Sequence, residues 1–128
     1  MFLRICVLAS TISLAPVALA DASESCLAQH KAIAGESVQI MRLKAEQEKL
    51  AQKFDREDQA RAELRAELDM AKAGVQVSGL EEVQDRYDGH YGAAEALRTE
   101  LDEVNEQVVA LGERHRSHVA KFNADCVQ

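Results

Sequence analysis

The sequence predicts an all-α fold: one long antiparallel two-helix hairpin, coiled-coil-like, with its ends joined by a Cys26–Cys126 disulfide. Three observations predict it. Two long stretches rich in Ala, Leu, Glu, Gln, Lys and Arg, the strong helix formers, flank the turn segment Ala73-Gly74-Val75-Gln76-Val77-Ser78-Gly79. Within both stretches apolar positions recur at alternating steps of three and four, the spacing of a coiled-coil seam. That turn segment also contains the midpoint between Cys26 and Cys126.

Residues 1–20 read as an address rather than as part of the fold. Arg4 lies in a short n-region, an apolar run follows from Ile5 to Val17, and Ala18-Leu19-Ala20 gives an A-x-A cleavage signal before the polar chain opens at Asp21. This is the pattern of a bacterial-type secretory signal peptide cut after Ala20. The apolar run is short for a membrane span, which takes roughly 20 residues. The expected product is a periplasmic or secreted chain, residues 21–128, with no transmembrane segment. Cys6 and Arg4 leave with the leader. The mature chain then carries 14 basic residues against 22 acidic ones, a net charge of −8 compared with −7 for the whole chain.

Two cysteines in an oxidising compartment suggest a bridge. A redox pair normally has the C-x-x-C spacing, which is absent; a metal pair and intermolecular bridges stay open beside the intramolecular bond. An intramolecular bridge closes a loop on the order of 100 residues, about 4.7 kcal/mol in the loop-entropy model and less if the denatured chain keeps helical structure.

The first arm covers about 26–73. Its seam runs Ile33, Glu36, Ile40, Leu43, Gln47, Leu50, Phe54, Glu57, Arg61, Leu64, Leu68 and Ala71, and four of these are polar. The turn is 74–79. The second arm, about 80–126, has the cleaner seam: Leu80, Val83, Tyr87, His90, Ala94, Leu97, Leu101, Val104, Val108, Leu111, His115, His118 and Phe122. Folding at the turn pairs Leu68 with Val83, Leu64 with Tyr87, Phe54 with Leu97 and Leu43 with Val108. Cys26 then falls opposite Asp125, one residue from Cys126. A slip of one heptad would separate the cysteines by about 10 Å of helix rise, so turn, seam and cysteines select one register. Such a hairpin buries a narrow stripe. Met41, Ala45, Ala51, Ala60, Tyr91, Val109 and Val119 lie beside the seam and widen it toward a second copy, a four-helix-bundle homodimer. If the chain is instead a monomer, the flanking alanines serve helix propensity only.

Three places interrupt the apolar pattern. Tyr87-Asp88-Gly89-His90-Tyr91-Gly92 puts two glycines in a helix, each costing about 1 kcal/mol relative to Ala, and the register sets Arg61 opposite His90. This reads first as a register-fixing polar layer, and otherwise as a kink, a partner docking point or a break that makes a third helix. At the disulfide end His115 and His118 share a helical face, Glu36 faces His115, and His30 comes from the other arm beside Phe122. Imidazoles with a carboxylate suit zinc or copper, although H-x-x-H on a helix is unspecific and semi-buried seam histidines are the plainer reading. Finally, residues 80–110 carry nine acids and two bases, whereas 40–73 carry eight of each sign. The acidic arm either draws a basic partner or divalent cations, or keeps the chain soluble.

Nothing points to catalysis. G-x-S-x-G, Walker, G-x-G-x-x-G and EF-hand signatures are absent, and the acidic balance opposes a nucleic-acid surface. The expected role is a protein–protein interaction module of the cell envelope: an adaptor, spacer or assembly accessory with no cofactor. Two rivals stand beside it. One is a metal-binding or metal-sensing protein using His30, His115, His118 and Glu36. The other is a periplasmic holdase chaperone. The chain is similar to the small helical stress chaperones of the Spy type in compartment and helix content alone, since their L-T-x-x-Q repeats are absent and this chain is acidic.

Overall fold

The computed structural model describes residues 15–127, with side chains from 22 onward. Among the described residues there are two helices: α1, Ala15–Lys72, and α2, Leu80–Cys126. They pack antiparallel along their length as a hairpin. Most of the expected signal peptide, residues 1–14, lies outside the described residues. α1 begins earlier than the expected arm, with Pro16 in its first turn, where a missing N–H removes no helical bond. At 47 residues α2 spans about 70 Å. Among the described residues no helix is long and apolar enough to cross a membrane.

The turn is a seven-residue connection, 73–79. α1 ends in a Schellman motif: Val75 N–H donates to the Met70 carbonyl at 3.1 Å and Gly74 N–H to that of Ala71 at 3.1 Å. Gly74 sits at φ 86°, a left-handed backbone that a Cβ disfavours. Gly79 opens α2, also left-handed at φ 70°, and its carbonyl accepts Val83 N–H at 3.0 Å. Both glycines are therefore required by the geometry of the reversal.

The seam is the expected one. Every α1 seam position from Ile33 to Ala71 is buried or half-buried, and so is every α2 position from Val83 to Phe122. Leu80 is the exception at 46% exposed, because the pairing ends with it. The core centres on Leu64, Leu68 and Val83 with Tyr87 packed against them, so the residues that the register pairs, Leu68 with Val83 and Leu64 with Tyr87, fall in one cluster. Leu50, Ala94, Val104 and Leu111 are buried farther along. The Cys26–Cys126 disulfide closes the far end across a sequence separation of 100, with Cα atoms 5.7 Å apart. α2 runs unbroken through Gly89 and Gly92, which removes the three-helix arrangement. Of the residues beside the seam, Ala51, Ala60 and Val119 are half-buried, whereas Met41, Ala45, Tyr91 and Val109 are exposed.

Candidate functional site

Glu36 is the one buried charged residue among the described residues, 9% exposed, placed on the seam between Ile33 and Ile40. A carboxylate in this position needs charged partners and hydrogen bonds to offset its lost hydration. α2 supplies them. His118 Nδ1 donates to Glu36 Oε1 at 2.9 Å, and Arg114 Nε reaches the same oxygen at 3.2 Å. A carboxylate only accepts, so His118 carries its proton on Nδ1. His115 Nδ1 stands 3.6 Å from Oε2, beyond hydrogen-bond reach, and both atoms are buried without a partner. The cluster is thus a cross-arm ion-pair hub with one unmade bond.

The hub differs from the expected metal set. His30 is exposed, with its ring centroid 6.0 Å from that of Phe122. The expected fourfold set of His30, His115, His118 and Glu36 is not assembled. Its carboxylate already faces a guanidinium, whose positive charge disfavours a cation beside it. Among the described residues no three His, Cys, Asp or Glu side chains are arranged to hold a metal ion. Seam periodicity does not single out Arg114, because it precedes His115 and lies off the seam. A long flexible stem lets it reach back across.

The glycine-bearing layer is also wired differently. The register sets Arg61 opposite His90, but His90 Nδ1 instead meets Glu57 Oε2 at 2.6 Å. Glu57 lies one helical turn from Arg61 on the same seam and offers the imidazole a carboxylate acceptor that a guanidinium lacks. Arg61 turns to Asp58 on its own helix and lies over the Tyr91 ring, 5.5 Å from its centroid, a cation–π contact. Between this layer and the hub, Gln47 donates to Asn105 across the arms. Beside the disulfide, Gln29 Nε2 donates to Asp125 Oδ2 at 3.5 Å. Polar crossings therefore recur from Glu57 to the chain ends.

Two clefts open between the helices over this polar half. The larger, about 500 Å³, is lined by Leu43, Ala110 and Leu111 with Gln39, Gln107, Arg42 and Arg114. The smaller, about 160 Å³, lies among Gln29, Ala32, His118 and Lys121. The hairpin thus offers a concave lateral surface that the narrow-stripe expectation did not include. No family model, curated protein or solved structure matches the chain.

Proposed function

We propose that the protein is a helical protein–protein interaction module of the bacterial cell envelope, an adaptor, spacer or assembly accessory, exported on its N-terminal signal and cut after Ala20. The observation that carries this reading is a rod of fixed register that keeps large apolar side chains on its outside. The disulfide and the polar crossings lock one arm against the other. Met41, Val109 and Tyr91 nevertheless remain 63%, 60% and 48% exposed. A rigid, preorganised surface lowers the entropic cost of docking, and exposed apolar side chains with polar neighbours are what helical partners cover. The intramolecular disulfide supports an oxidising compartment. A second copy covering the same side chains is the homodimeric form of this proposal, read by sedimentation equilibrium of the mature protein.

The test is a crosslinking pull-down of the tagged mature chain from intact envelope, with mass-spectrometric identification. One or two stoichiometric partners are expected. A smear of unrelated clients would move the protein to the holdase class, and an empty pull-down would defeat the adaptor reading. The intact mass of the purified chain checks export, since a mature N-terminus at Asp21 is expected and retained residues 1–20 would contradict it.

A further inference from the structure

The two clefts form one groove. Ala32 and Gln39 are seven residues apart, as are Gln107, Arg114 and Lys121, and a seven-residue step returns a seam-packed helix to the same side. The clefts therefore lie in line on one side of the hairpin. From Gln29 to Leu43 the line extends about 21 Å, the length of a helix of about four turns. The larger cleft has an aliphatic floor of Leu43, Ala110 and Leu111. The rim is cationic. Arg42 and Arg114 line the groove and Lys121 continues the Arg114 row. Lys49 and Arg56, both exposed, extend the Arg42 row at the same seven-residue spacing. In the Gln39 row, Glu46 is followed by Lys53. Arg114 meets Glu36 through Nε while its side chain stays 58% exposed, and a guanidinium has further N–H groups to offer a ligand.

This concentration of positive charge occurs in a chain of net charge −7. Four α2 acids have their own row, Glu81, Asp88, Glu95 and Asp102, which continues to Val109, while Glu100 and Glu103 continue the Gln107 and Ala110 rows beyond the larger cleft. Val109 lies two residues beyond Gln107, hence about 200° around the helix and away from the groove. No acid lines either cleft, and this flank row faces away from them, so it does not neutralise Arg42, Arg114 and Lys121 there.

We infer that this groove is a docking surface of the proposed interaction module besides the exposed Met41, Tyr91 and Val109, and that its occupant is an acidic amphipathic helix of a partner protein. The inference rests on the module reading and adds the chemistry of the partner. Apolar side chains at i, i+3, i+4 and i+7 would fill the cleft over Leu43 and Leu111, and flanking Asp or Glu would meet Arg42, Lys49 and Arg114. A second copy of this chain fits less well. The large exposed apolar side chains of its acidic flank, Tyr91 and Val109, stand about 27 Å apart along α2, farther than the 21 Å line, so they supply no i, i+3, i+4, i+7 set to fill the cleft.

The test places a photo-crosslinking residue in the full exported chain at Gln39, at Gln107 or, on the other flank, at Val109, and crosslinks intact envelope. The crosslinked peptides are identified by mass spectrometry. Capture from Gln39 and Gln107 of one protein is expected, through a segment with the acidic amphipathic pattern. The double variant Arg42→Glu/Lys49→Glu should lower that yield about tenfold with unchanged thermal unfolding. A basic or non-helical captured segment, a second copy in the groove, or a yield indifferent to the charge reversal would overturn the inference. Capture from Val109 alone would remove the groove and keep the module. Capture from none of the three would remove both.

Discussion

The two ends of the hairpin are held together by different physics. The turn end is a small apolar core, Leu64, Leu68 and Val83 with Tyr87 against them, closed by a glycine-bearing reversal. Beyond that core the seam mixes buried Leu50, Ala94, Val104 and Leu111 with polar crossings, from Glu57 with His90 through Gln47 with Asn105 to Glu36 with Arg114 and His118, and a disulfide closes it. Apolar burial supplies stability without direction, whereas buried polar pairs contribute little net energy and discriminate strongly against wrong pairings. The difference teaches that the turn end holds the hairpin closed, while the terminal end fixes which residue faces which. The proposed docking groove lies over the half whose register is fixed.

The largest expected effect comes from the covalent end. Replacing Cys26 and Cys126 by Ala should cost about 3–4 kcal/mol, below the loop-entropy value because the denatured arms retain helix. Denaturant unfolding of the oxidised and substituted proteins measures it, and a difference under about 1 kcal/mol would mean that the polar crossings hold the ends unaided. Next comes the apolar end. Leu64, 4% exposed, changed to Ala should cost about 2–3 kcal/mol, at the low side of the usual range because a two-helix core collapses easily around the gap. A loss as small at Leu64 as at half-buried Leu97 would erase the contrast between the two ends.

Glu36→Ala should cost about 1–2 kcal/mol, since it removes the cross-arm contacts of His118 and Arg114 and leaves a gap in the seam. Glu36→Leu should recover most of that loss, because a hydrophobic residue of similar volume often replaces a buried ion pair without penalty. Urea midpoints of the two variants separate a packing role from an ionic one. The smallest effect carries the opposite sign. Gly89→Ala should stabilise the hairpin by about 0.5–1 kcal/mol, because a Cβ there meets nothing within 4 Å and the helix is already formed. Destabilisation would show that α2 needs flexibility at this layer, which would restore a kink there.

The architecture was largely legible in the sequence for a physical reason. A hairpin of two helices has a single interface, so the three-and-four spacing from Leu80 to Phe122, the glycines at 74 and 79 and the two cysteines each constrain one degree of freedom. The polar contacts were not legible to the same depth. Register names the residue opposite, but side-chain reach decides which neighbour is taken. His90 chose Glu57 over Arg61. Arg114 entered the Glu36 hub from beside the seam, and Asn105 met Gln47 from one residue past Val104. Periodicity ranks residues by face. It does not weigh which neighbour offers a hydrogen-bond acceptor or the length of an arginine stem.

Amide hydrogen exchange on the oxidised and reduced protein tests the contrast between the two ends most directly. Exchange resolves local opening along a chain. On reduction, protection should fall over 26–57 and 97–126 while the amides of 64–71 and 83–90 keep theirs. A uniform loss along both helices, or a loss confined to the turn end, would contradict the account.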